Sequence, residues 1–316
     1  MNFLRLPFFD LLRDSRTILL AGAGGGYDIF TGLPLYFGLL ASGKQVHLAN
    51  LSFSTIYASN GRRIGQSVVK VTHETDGGGR YFPELYLARW FAKRGEEVPI
   101  YCIDRAGAAP VEAAYRDLKE LLQPDAVVLI DGGTDSLMRG DEPGLGTPQE
   151  DIASIAAVDR LDVSLKMLVC LGFGVDTFHG VSHSHFLEAV ADLIRADGFL
   201  GAWTLTQEMP EVQLYREATE FVHRAMPFQP SIVSSSILSA IEGRFGDYHA
   251  SRRTEGSELF INALMSLYWA FHLEPVARRN LYIERIRDTQ SFQDLTLAIA
   301  EFRSSSDIKD WRVLPM

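Results

Sequence analysis

The chain has 316 residues, 47% of them hydrophobic and 22% charged, with a formal net charge of −10. This composition excludes disordered, fibrous and repeat proteins, and the length allows a core that closes without disulfides. The acidic balance argues against a general nucleic-acid binder or an anionic-membrane binder, because phosphate backbones are held by excess Lys and Arg.

The first unit spans residues 16–53. Residues 17–20 form a short apolar run feeding the cluster Gly22-Ala23-Gly24-Gly25-Gly26-Tyr27-Asp28, and so read as a buried strand. A helix is expected over 33–40, closed by Gly43, and a second strand over 45–50. The pattern recurs: helix 81–94, strand 98–103 ending at Asp104, and a helix with Pro110 at its first position running to Leu122. Residues 126–130 are the clearest strand and run into Asp131-Gly132-Gly133. Thr147-Pro148-Gln149-Glu150 reads as a capping box opening a helix to Arg160. Strand 166–172, helix 186–196 and strand 200–205 follow. Strands alternating with helices predict an α/β fold: a doubly wound, mainly parallel sheet in a Rossmann-like three-layer sandwich. Helices are expected over 211–225, 232–242 and 292–302, and loop over 243–256; periodicity leaves 259–273 open between strand and buried helix. Without a clear linker, 1–316 reads as one domain.

Three segments carry candidate chemistry. In the loop at 22–28, glycines let backbone N–H groups turn toward a ligand, and the helix start beyond suits phosphate or carboxylate. Gly22, Gly24, Gly25, Gly26 and Asp28 are therefore candidate substrate contacts, with Asn50 after the second strand. The dinucleotide fingerprint is not met, since Tyr27 stands where its last glycine belongs, and no Gly-Lys-Ser/Thr makes a P-loop. The plainer reading is a tight turn.

The segment 131–142 follows a buried strand, at the edge where open parallel sheets bind ligands. Asp131, Asp135, Asp141 and Glu142 repel one another unless a cation is present, so they are candidate ligands of Mg²⁺ or Mn²⁺; Arg139 is the metal-free alternative. Gly132, Gly133 and Thr134 are candidate substrate contacts. In the segment 174–185, His179, His183 and His185 are candidate proton carriers with Asp176 orienting an imidazole; otherwise Ser182 or Ser184 caps a helix and the histidines are ordinary loop residues. Asp247, Tyr248 and His249 suggest a lid, and Arg252-Arg253 reads as a solvated pair rather than a phosphate clamp.

These three segments resemble the family labelled domain of unknown function 1152, and the likeness spans most of the chain. A more distant resemblance is to the D-glutamate cyclase family, metal-dependent lyases with an Asp-Gly-Gly-Asn-Glu segment after a strand. Here Asp131-Gly132-Gly133-Thr134-Asp135 stands in that place, with threonine for asparagine and aspartate for glutamate. That resemblance implies a metal-assisted lyase or hydrolase.

The leading expectation is an enzyme acting on a small anionic, phosphate- or carboxylate-bearing metabolite with a divalent metal. One alternative is a nucleotide- or dinucleotide-binding enzyme without metal. The other is a non-catalytic binding protein on an enzyme-like fold. No apolar run reaches the roughly 18 residues of a membrane helix, and residues 1–10 lack the apolar core of a signal peptide. Cys102 and Cys170 lie in apolar runs, as buried thiols of a reducing compartment do. A cytoplasmic protein is expected, with neither nucleic acid nor membrane as partner and with homo-oligomers compatible.

Overall fold

The structure, a computed structural model, describes residues 5–257 and 259–314; residues 1–4, the start of the stretch read as lacking a leader, lie outside them. Its strands are β1 (Thr17–Gly22), β2 (Gln45–Ser52), β3 (Arg62–Ile64), β4 (Val68–Val71), β5 (Ile100–Asp104), β6 (Ala126–Asp131), β7 (Leu165–Leu171), β8 (Phe199–Thr204), β9 (Gly246–Asp247), β10 (Phe260–Ile261) and β11 (Leu267–His272). Its helices are α1 (Pro7–Leu12), α2 (Asp28–Thr31), α3 (Leu33–Ala41), α4 (Pro83–Lys93), α5 (Ala108–Leu122), α6 (Pro148–Asp159), α7 (His183–Arg195), α8 (Pro210–Ala225), α9 (Ile232–Ile241), α10 (Leu273–Arg279), α11 (Ile283–Ile286) and α12 (Phe292–Ser304).

Nine strands form one sheet in the order β3-β4-β5-β2-β1-β6-β7-β11-β8. β5, β2, β1, β6 and β7 pair in parallel. Antiparallel strands flank this centre: β4 and β3 on one side, and β11 between β7 and β8 on the other. The parallel strands read as continuous apolar runs because both faces are covered. Leu19 and Ala21 face one core, with α5, α6 and α7; Ile18 and Leu20 face the other, with α3, α4 and α8. The result is a three-layer α/β sandwich.

Several expected elements shift. The helix expected to start on Pro110 begins at Ala108, which places the proline still inside the first turn, where no intrahelical N–H is lost. The segment 259–273 is neither one strand nor one helix: it holds β10, a turn at Ala263–Ser266 and β11. The expected loop 243–256 contributes β9, which pairs with β10. The helix expected over 33–40 is α3, which takes Pro34 in its first turn after the separate short helix α2 ends at Thr31. The short polar strand β3 and its neighbour β4 carry no clear periodic signal.

After β1 the chain builds β2 and β5 on one side, then crosses to build β6 and β7 on the other. The carboxyl ends of β1 and β6 therefore mark the reversal of strand order, where open α/β sheets leave a crevice for ligands.

Candidate functional site

A cavity of about 510 Å³ opens at that reversal point. Three corners of the fold feed it. Gly24, Gly25, Gly26 and Asp28 come from the β1–α2 corner; Asp131, Gly132 and Asp135 follow β6; Asp176 and His179 lie in the turn after β7. Asp151 reaches it from the first turn of α6.

The carboxylates dominate its floor. Asp131, Asp135, Asp151 and Asp176 are buried, and Asp28 is partly open to the cavity. Oxygens of Asp28, Asp131 and Asp151 lie within 4.8 Å of one another. Most of these carboxylates are oriented through one oxygen. Asp28 Oδ2 accepts from the Gly24 N–H at 2.6 Å, and Asp176 Oδ2 from the Thr134 N–H at 2.6 Å. Asp135 Oδ2 accepts from the Thr147 N–H at 2.8 Å and its hydroxyl at 3.2 Å. Asp131 Oδ2 accepts from the Ser136 N–H at 3.3 Å and from the Ser136 hydroxyl. Asp151 Oδ1, by contrast, is buried with no hydrogen-bond partner. Among the described residues, none of the five pairs with Lys, Arg or His, whereas neighbouring Glu150 has Arg105 at 3.5 Å.

Glycine makes the crowding possible. A Cβ on Gly24 would lie 2.7 Å from Asp151 Oδ1 and 2.9 Å from Asp28 Oδ2, and one on Gly132 would lie 2.8 Å from Asp28 Oδ1. Burial and mutual repulsion act in the same direction on these acids. Desolvation first, then neighbouring carboxylates, pushes Asp131, Asp151 and Asp176 well above the ordinary range. Asp28 is raised in the same way, against the Gly24 N–H, and Asp135 is raised by desolvation against its bonds to Thr147. Glu150 is pushed up to about 7 by burial. Burial lowers His179, and the Asp135 charge opposes that shift.

The model of the family described as "Protein of unknown function (DUF1152)" matches residues 56–308. The chain belongs to this family. The matched span holds Asp131, Asp135, Asp151, Asp176 and His179, while Asp28 and the glycine loop precede it. No curated protein and no solved structure matches the chain, so the comparisons do not show the D-glutamate cyclase resemblance.

Of the residues singled out in the sequence, Asp28, Asp131, Asp135, Asp176, His179, Gly24, Gly25, Gly26 and Gly132 meet at the cavity. Asp141 and Glu142 do not. Arg139 and Lys309 neutralise Asp141, while Glu142 accepts from the Arg139 and Gly140 N–H groups near Arg279. That loop is internally satisfied and leaves no oxygen seeking a metal. His183 and His185 also lie off the cavity. His183 packs edge-on against Phe173 at 4.9 Å, and His185 is buried near Trp311. Ser182 caps their helix by accepting from the Ser184 N–H at 3.1 Å.

Gly22, Asn50, Gly133 and Thr134 act behind the wall. Asn50 covers Gly22 and donates to the Gly26 carbonyl at 3.0 Å and to Glu84 at 2.8 Å. Gly133 packs against the Asp176 carboxylate that Thr134 holds. The expected capping box at Thr147 does not form, because its hydroxyl is drawn to Asp135 instead.

Sequence reading missed Asp151, Phe53, Tyr81, Phe178 and Arg253, all on the cavity wall. One signal was available for Asp151: α6 is apolar from Ile152 through Val158 apart from Ser154, so an acid at its start has little solvent face to occupy.

Proposed function

We propose that the protein is a divalent-metal-assisted lyase or hydrolase acting on a small anionic metabolite, with Mg²⁺ or Mn²⁺ as the cation. The observation that carries this reading is the convergence of Asp28, Asp131 and Asp151 oxygens within 4.8 Å, with buried Asp151 Oδ1 unpartnered. Buried like charges without a counter-cation are costly, and an unmet oxygen adds the desolvation penalty of a missing bond. A hard cation removes both costs. The all-carboxylate set suits Mg²⁺ or Mn²⁺ and lacks the His and Cys donors that favour zinc.

When bound, such a cation polarises a substrate oxygen or lowers the pKa of a water. The chain's own residues supply the rest. Asp28, Asp131 and Asp151 hold the ion, with Gly24 and Ser136 fixing the first two. Burial lowers the His179 pKa and so favours the neutral ring, whose nitrogen can accept a proton; the Asp135 charge stabilises the imidazolium that results. Phe53, Tyr81 and Phe178 wall the cavity and limit water around the reacting group.

A metal-free nucleotide site is less well supported. The Gly24 N–H is committed to Asp28 rather than free for a phosphate, and an acidic floor repels phosphates. Two buried free thiols, Cys102 and Cys170, support a reducing, cytoplasmic setting. Among the described residues no helix is long and apolar enough to cross a membrane.

Isothermal titration of EDTA-treated protein with MnCl₂ tests the reading. Saturable binding is expected for the wild type, and a loss of at least about tenfold in affinity for Asp151→Asn with the circular dichroism spectrum unchanged. No binding of Mn²⁺ or Mg²⁺ at about 1 mM overturns it.

A further inference from the structure

The cavity carries a second charge feature opposed to its floor. Apart from His179, Arg253 is the one basic side chain on its wall among the described residues. It sits in the turn Arg252–Thr254, and its Nη1 donates to the Pro230 carbonyl at 2.6 Å. That bond uses one of five guanidinium N–H donors. No carboxylate of the described residues lies within ion-pair distance, although the chain is strongly acidic and most of its arginines near acids are paired. The guanidinium shares the cavity wall with His179 and Tyr81; burial lowers the His179 pKa and raises that of Tyr81, and the Arg253 charge adds to the first shift and opposes the second.

The same wall also carries apolar side chains. Phe178, Ile232 and Val233 line it, and Phe53, 43% exposed, stands across the glycine loop. A half-exposed aromatic inside a cleft is free surface for a ligand. The cavity therefore offers three chemistries: a carboxylate set that could hold a cation, apolar side chains, and a guanidinium with donors beyond its bond to Pro230. A ligand with a single anionic group can satisfy only one end. About 510 Å³ accommodates a ring-sized body with a charged group at each end.

We infer that the substrate carries two anionic groups separated by a short apolar body, one directed to the metal-bearing floor and the other, a carboxylate or phosphate, held by Arg253. This rests on the metal-assisted reading of the floor and adds to it the class of molecule the cavity admits. Arg253 is thus a substrate-binding residue that sets specificity by the presence of a remote charge, and Phe178, Ile232 and Val233 set the length of the spacer.

Two non-hydrolysable probes separate the ends: para-carboxybenzylphosphonate, anionic at both, and benzylphosphonate, anionic at one. The full chain is first titrated with Mn²⁺, and each probe is then titrated into the loaded wild type and into Arg253→Gln. The carboxylated probe is expected to bind the wild type about tenfold more tightly or better, the size of one charge-assisted hydrogen bond. In Arg253→Gln the two affinities should fall within about twofold of each other, with Mn²⁺ affinity unchanged. Equal affinities in the wild type, no binding of either probe, or a preference that survives in Arg253→Gln each overturn the inference while leaving the metal reading standing. Failure of Mn²⁺ to bind in the first titration overturns the metal reading, and this inference with it.

Discussion

The Asp131 carboxylate shows how a single residue at this site is controlled. Its Oδ2 is held by both the N–H and the hydroxyl of Ser136, and that hydroxyl also lies 3.5 Å from Cys170 Sγ. Orienting groups of this kind commonly alter metal affinity by about 10–100-fold. Ser136→Ala should therefore weaken Mn²⁺ binding by about tenfold in calorimetry while shifting the melting temperature little, because the backbone bond remains. Full retention of affinity would show that Asp131 needs no such support. His179 gives a second observable. Burial lowers its pKa below the ordinary value and Asp135 works against that shift. Removing the charge in Asp135→Asn, or adding a nearby positive charge with Mg²⁺, should each lower the pKa further in an NMR titration of the imidazole. An upward shift in either case would place His179 outside the field of the cluster.

The β1–α2 corner acts as a unit, and its glycines differ in what they do. Gly24 does not have a positive φ, so an alanine there is acceptable to the backbone but collides with Asp151 and Asp28. Gly25 has φ +89°, and a Cβ would lie 2.6 Å from the Phe53 ring. Gly24→Ala should therefore lose metal affinity with the fold nearly intact. Gly25→Ala should lose stability by about 1–2 kcal/mol through backbone strain. Denaturant melts and Mn²⁺ titrations of the two variants separate these outcomes; equal effects on both measures would mean that the corner has only one role. The start of α6 makes the complementary point. The Thr147 hydroxyl leaves the helix N-terminus uncapped and serves Asp135, so local helix stabilisation has yielded to the site.

Across the whole molecule, carboxylates whose pKa values are raised by burial couple stability to pH. An unfolded aspartate ionises near about 4, whereas folded Asp28, Asp131, Asp151 and Asp176 hold their protons to higher pH. The folded state then binds more protons than the unfolded one. These groups stabilise the metal-free protein fully below the unfolded value, and that stability is lost as pH rises through the folded values. Urea melts in EDTA should show a steeper fall as pH rises above the unfolded aspartate value of about 4 for wild type than for Asp151→Asn, and Mn²⁺ affinity should rise over the same range as protons are displaced. Identical slopes would mean that Asp151 ionises normally.

Much of this was legible from residue order. The runs 17–20 and 126–130, each ending at a glycine-containing turn, announce buried parallel strands, and their position at the sheet's reversal point brings Asp28 and Asp131 together. The partition of acids was not legible. Asp141 and Glu142 look equivalent to Asp135 in sequence; Arg139, the metal-free alternative visible two residues before Asp141, takes that acid, and Lys309 and Arg279 reach the loop from distant elements. Arg253 looks like one of a solvated pair, and it does stay exposed, but its turn also places it on the cavity wall. Local patterns report periodicity and turn chemistry; they do not report which charges meet across more than a hundred residues of chain.

The central claim is that Asp28, Asp131 and Asp151 share one divalent cation. Crystals grown with MnCl₂, with diffraction collected at the manganese edge, test it most directly. An anomalous peak bounded by oxygens of these three residues is the predicted result. Carboxylates converging as described with no peak between them, or a peak only at the Asp141–Glu142 loop, would contradict it.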